Sequence, residues 1–117
     1  MKQEELKNRT KKFNITTILA LRGIKRNEET EVFKYQLIKA SSSVGANYRS
    51  CCRAKSKADF INKLKIVEEE ADECCYWLEI LIDLYPEKET TLKPILKEAN
   101  ELTAIFTKAG QTARGNK

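Results

Sequence analysis

The stretch that decides the fold is "IKASSSVGANYRSC", residues 38–51. Serine, glycine and asparagine usually punctuate loops, so one reading is a loop, with a phosphate-cradling turn as its functional form. The alternative is a helix whose surface is kept thin by small side chains. The flanking apolar positions decide between them. Phe33, Leu37, Val44, Tyr48 and Cys51 keep helical spacing when Ser41 fills the place between Leu37 and Val44. A loop would reset that frame. The expectation is one continuous helix over residues 31–54, with Ser41 and Gly45 as helix-packing positions and with Tyr48, Arg49 and Arg53 turned outward. A serine inside a helix satisfies its hydroxyl on the carbonyl one turn back, which permits burial.

The following segment carries the strongest periodicity in the chain. Phe60, Leu64, Val67, Ala71, Cys74, Leu78, Leu81 and Tyr85 alternate steps of four and three without a break, the pattern of a bundle seam. Ser56 with Asp59 three residues later predicts the start, and Pro86 predicts the stop, giving a helix over 56–85 about 45 Å long at ~1.5 Å per residue. Towards the N-terminus, Leu6, Thr10, Phe13, Thr17, Ala20 and Ile24 predict a helix over 3–25. Asn27 or Thr30 is the expected cap of the second helix. Thr91 is the expected cap of a fourth helix over 91–109, with Pro94 in its first turn. The tail 110–117 is expected to be disordered.

The whole chain, 117 residues with 33% charged and 8% aromatic side chains, 4 glycines and 2 prolines, fits a single all-α domain over 1–117. It has no apolar run of membrane-spanning length and no signal-peptide pattern. A soluble, cytoplasmic protein with no membrane partner is expected.

The chain contains no histidine, which removes Ser-His and Cys-His nucleophile pairs and the Glu-x-x-His motifs of di-iron bundles. The serine-glycine stretch lacks the spacing of a P-loop. Cysteines occur as the adjacent pairs Cys51-Cys52 and Cys74-Cys75. Neighbouring helical positions point apart and do not converge on one metal, so reduced, partly buried thiols are expected. No catalytic residue, metal site or cofactor is assigned.

Charge is distributed unevenly around a net value of +5. Residues 1–26 carry eight cations against Glu4 and Glu5; residues 49–65 carry six against Asp59; residues 68–89 hold nine acids and one lysine. The candidate nucleic-acid contacts are Arg9, Lys11, Lys12, Arg22, Arg49, Arg53, Lys55 and Lys57, with Tyr48 as a stacking ring. The competing reading pairs these cations with the acidic half of the third helix on a neighbouring copy.

Residues Gln36 to Leu81 resemble the bacterial four-helix-bundle proteins first described from intervening sequences in 23S ribosomal RNA genes and often mislabelled as ribosomal proteins. The features that carry the resemblance are Ser43 to Asn47, the basic turn Arg53 to Lys57, "KADFINKL" and the region from Ala71 to Glu79. The same region is similar to the accessory variability protein of diversity-generating retroelements. The resemblance implies an antiparallel up-down-up-down bundle assembling into a ring-like homo-oligomer, a homopentamer, with a basic surface. It also implies RNA or DNA, and a reverse transcriptase or another nucleic-acid-handling protein, as partners. Many relatives follow the asparagine with Ile-Ala-Glu-Gly; here Asn47 is followed by Tyr48, Arg49, Ser50 and Cys51, so no role tied to that glutamate carries over.

Overall fold

The computed structural model of the chain describes residues 1–115. These residues form four α-helices and one short 3-10 turn: α1 (Gln3–Leu21), α2 (Glu28–Cys51), α3 (Lys57–Leu84), the turn Pro86–Lys88, and α4 (Glu89–Ala113). The body measures 44 × 23 × 21 Å. Among the described residues there is no strand, and no helix is long and apolar enough to cross a membrane.

Helix α1 stops at Leu21, four residues short of the expected end. Gly23 N–H turns back to the Ala20 carbonyl at 3.1 Å, and Ile24 leaves the helix to plug the core at 4% exposure. Helix α2 then begins at Glu28, three residues early, because Asn27 and Thr30 cap it together. The Thr30 N–H donates to Asn27 Oδ1 (2.9 Å), and the Asn27 N–H donates to Thr30 Oγ1 (2.8 Å). This reciprocal pair satisfies two N-terminal donors that a helix leaves open. The helix continues unbroken through the three serines and ends at Cys51, three residues before the expected boundary.

Helix α3 starts where Ser56 accepts from the Asp59 N–H at 3.1 Å. The Asp59 carboxylate accepts from the Lys55 N–H and from Lys63 Nζ, each at 3.0 Å. Those two donors hold its carboxyl below the usual range. Tyr85 leaves the helical region immediately before Pro86. Helix α4 differs most from expectation. It starts at Glu89, so Thr91 is not its cap and Pro94 lies inside the helix. Its missing N–H leaves the carbonyl of the exposed Thr90 to water. At the other end the helix passes the expected stop and runs to Ala113, because Gly110, one turn beyond Phe106, is itself buried. Asn116 and Lys117, the end of the tail expected to be disordered, lie outside the described residues.

The core is formed by Leu37, Val44, Leu64, Val67, Leu78, Leu81, Ala99, Leu102 and Phe106, each at 1% exposure or less. Side-chain pairs show how the elements lie. Tyr85 Oη donates to Glu29 at 2.7 Å, Phe33 meets Trp77 at 5.9 Å between ring centroids, and Cys51 Sγ reaches the Phe60 carbonyl at 3.6 Å. Between α3 and α4, Thr107 donates to Glu68 at 2.7 Å and Cys75 faces Thr103 at 3.8 Å.

The seam between α1 and α2 is built differently. Thr10 and Thr17 are buried and donate to their own helix, at Leu6 O (2.9 Å) and Phe13 O (2.7 Å). Ser41 is fully buried, and both it and Ser42 donate to Asn14 Oδ1, at 3.1 and 3.2 Å. A methyl group on Gly45 would sit 3.4 Å from Thr10 Oγ1. The helices are thus close enough that a methyl there would just touch Thr10, and anything larger would press into it.

Candidate nucleic-acid interface

Arg49 and Arg53 stand one turn apart, Arg49 in the last turn of α2 and Arg53 in the link to α3, both exposed. Lys55 lies in that link and Lys57 opens α3, again exposed. On α1, Lys11 and Arg49 share the lining of a groove of about 490 Å³ between α1 and α2. Lys12, the next residue, turns to a separate groove of about 500 Å³ between α1 and α4. Arg22 follows the end of α1, beside the opposite terminus of α2 from Arg53. Helix α2 separates those two ends by about 36 Å, at ~1.5 Å per residue. The candidate cations therefore form one cluster, from Arg49 to Lys57 with Lys11 beside it, and two members apart from it, Lys12 on the α1–α4 side and Arg22 at the far end of α2.

Two expected contacts are already engaged within the protein. Arg9 is clamped by two carboxylates of α4: its Nε donates to Glu98 at 2.6 Å, and its Nη2 donates to Glu98 at 2.7 Å and to Glu101 at 2.9 Å. These hydrogen bonds and charges hold its proton more tightly than usual. Its charge ties α1 to α4 and is not open to a phosphate. Tyr48 is 6% exposed, with its ring 5.5 Å from Phe106 and its phenol pushed up by burial. It points into the core rather than outward and offers no face for stacking. By contrast Lys11, Lys12, Arg22, Arg49, Arg53, Lys55 and Lys57 are exposed and form no ion pair among the described residues.

The profile of the family described as 23S rRNA-intervening sequence protein matches residues 2–108. This chain belongs to that family. It is also similar to a crystal structure of a protein of unknown function from the S23 ribosomal protein family of Bacteroides thetaiotaomicron. The TM-score is 0.84 at 29% identity, over 95% of this chain and 99% of that one. No curated protein matches the sequence.

The acids of α3 do not converge on a common point. Among the described residues no group of three or more Asp, Glu, Cys or His side chains is placed to hold a metal. Glu69, Asp72 and Glu73 are exposed, Glu68 is bonded to Thr107, and Glu70 is half-buried. Burial, then Glu73, pushes the Glu70 carboxyl up. All four cysteines are free thiols. Burial lifts Cys51 to about 11 and raises Cys74 and Cys75 as well. These groups stay protonated near neutral pH and are poor nucleophiles.

The α1–α2 groove also holds residues that the charge pattern did not single out, namely Lys7, Asn8 and Asn14. Asn14 was detectable in principle: it follows Thr10 by one turn and Thr17 follows it by three residues, so it borders a buried stripe.

Proposed function

We propose that this chain is a non-enzymatic helical module that binds nucleic acid, RNA or DNA, through a basic surface formed by Arg49, Arg53, Lys55 and Lys57 with Lys11 beside them, while Lys12 on the α1–α4 side and Arg22 at the far end of α2 add to the overall positive field. One observation carries the reading: these cations are exposed and their side chains form no ion pair among the described residues, while Arg9 and Lys63 are neutralised locally. Unpaired guanidinium and ammonium groups on a protein of pI about 9.0 attract polyanions. The resemblance adds assembly as a homopentameric ring of antiparallel up-down-up-down bundles and association with a reverse transcriptase or another nucleic-acid-handling protein, and the sequence pattern adds a cytoplasmic setting. The pairs Glu29–Tyr85, Phe33–Trp77 and Cys51–Phe60 support that helix order. Affinity for RNA and DNA oligomers at two salt concentrations tests the binding, because each neutralised phosphate releases counterions and affinity falls steeply with salt. No binding at low salt ends the reading.

A second reading makes the module a protein-interaction unit whose charges pair between subunits. It is favoured by apolar side chains at the surface, Ile15, Leu19, Val32, Tyr35 and Tyr76, near cations of α1 and acids of α3. Under it, Arg49→Glu with Arg53→Glu changes the subunit number seen by light scattering, and there is no nucleic-acid affinity to lose.

A further inference from the structure

We infer that the groove between α1 and α2 is a seat for the phosphodiester backbone, clamped by Lys11 and Arg49 and recognising charge and geometry rather than base identity. The inference rests on the nucleic-acid reading above and assigns it a specific track. Lys11 and Arg49 come from different helices, line the same groove of about 490 Å³, and have no carboxylate partner among the described residues. The groove is concave where Gly45 has no side chain and lies against Thr10.

Neutral amides line the same groove. Asn14 Oδ1 accepts from Ser41 and Ser42, which orients the amide. Its Nδ2 donates to no group among the described residues and remains available to an oxygen in the groove, as does the exposed Asn8 amide. Charged donors in one groove with an oriented neutral amide suit the anionic oxygens of a phosphodiester. With Tyr48 tilted against Phe106 in the core, no aromatic side chain lines this groove. Bases cannot be held there by stacking, so binding should be indifferent to sequence.

A carboxylate also stands in the groove. Glu4 pairs with Lys7 at 3.8 Å, cancelling one cation and repelling an incoming phosphate. This gives the proposal a gain-of-affinity test that a generic loss of charge would not mimic.

The experiment measures affinity of the full chain for a 20-nucleotide single-stranded homopolymer and for a duplex of equal length, from 50 to 200 mM salt, with folding of each variant checked by circular dichroism. Lys11→Gln with Arg49→Gln should weaken binding at least tenfold at low salt. It should flatten the log-log salt slope by about 1.4 for the single strand or about 1.8 for the duplex, as two lost phosphate contacts require. The form whose slope falls by its own full expected amount is the one seated. Ala46→Phe, which fills the groove from an exposed position without changing charge, should weaken binding about tenfold. Glu4→Gln should tighten it several-fold, and Asp83→Asn, the same charge change on α3, should not. Lys97→Gln with Lys108→Gln on α4 is the matched control for net charge. If the groove variants bind like the native chain, or no more weakly than the α4 control, the groove is overturned while the nucleic-acid reading stands. If the native chain fails to bind at 50 mM salt, both fall. A strong preference among homopolymer sequences overturns backbone-only recognition.

Discussion

The bundle closes on two sides by different chemistry. Where α3 meets α2 and α4, Leu64, Val67, Leu78, Leu81, Leu102 and Phe106 interlock with almost no solvent exposure. Where α1 meets α2, the facing groups are Thr10, Asn14, Thr17, Ser41, Ser42 and Gly45. The first seam is held by apolar area removed from water, at roughly 25 cal/mol per Å². The second sets small polar groups beside the buried Leu6, Phe13 and Leu21 of α1, and depends on close approach and on every hydroxyl finding an acceptor. Among the described residues no buried side-chain nitrogen or oxygen lacks a partner, so the polar seam avoids the desolvation penalty that usually makes such an interface unstable. The lesson is that the same helical spacing supports a greasy seam and a thin, hydroxyl-lined one, and that the thin one leaves a groove at the surface.

The largest expected effect breaks the apolar side. Phe106→Ala removes a fully buried ring that packs on Tyr48 and should cost about 4 kcal/mol in denaturant unfolding. It should also expose Tyr48, visible as a change in tyrosine environment. Next in size is a change on the thin side. Gly45→Leu drives a branched side chain into Thr10 and should cost about 2 kcal/mol. Gly45→Ala brings one methyl to 3.4 Å from Thr10 Oγ1, an ordinary van der Waals contact, and alanine gains ~1 kcal/mol over glycine in a helix, so it should stabilise slightly. Equal tolerance of leucine and alanine would show that the seam is not closely packed, and the contrast between the two sides would fail.

Helix α1 has a further attachment, to α4. Arg9→Gln deletes the paired hydrogen bonds to Glu98 and Glu101 and should cost about 1 kcal/mol at low ionic strength, with the deficit shrinking in high salt. A salt-independent loss would mean that the guanidinium acts by packing and not by charge.

These contrasts explain what the sequence made legible. The apolar seam was readable because Phe60 to Tyr85 repeats without exception, and the thin seam because the frame on either side made Ser41 the only residue that could fill the gap. Partners distant in sequence were not readable. Arg9 looked like one more cation in a basic segment, since its acceptors stand at Glu98 and Glu101, far along the chain. Tyr48 was placed outward on the strength of its basic neighbours although its own spacing from Val44 and Cys51 put it in the core; the periodicity was the better guide. The caps followed the same division. Asn27 and Thr30 each looked able to cap α2 and do so jointly. Thr91 lost to a 3-10 turn after Pro86 that starts α4 early, a choice made by the α3–α4 connection and not by local preference.

The smallest effect lies where the two kinds of packing meet. Glu70 is on α3, half-buried, and its carboxyl is pushed up by burial first and by Glu73 second, with Ser43 and Lys39 of α2 partly offsetting both. A carboxyl with a folded value above its unfolded one binds its proton more tightly in the folded state. Its contribution to stability is therefore fully present below the unfolded value and is lost as the pH rises through the folded value, so at neutral pH the ionised group is a net penalty. Glu70→Gln keeps an oxygen for Ser43 and removes the charge. It should stabilise the protein modestly at pH 7, and the advantage should disappear by about pH 3, below the usual glutamate range near ~4.3. Thermal unfolding of both proteins across that interval measures the difference directly. A gap that persists unchanged at low pH would assign Glu70 a packing role; a gap of opposite sign at pH 7 would mean that Ser43 and Lys39 outweigh burial, and that the thin serine face of α2 reaches over α3 as an electrostatic partner.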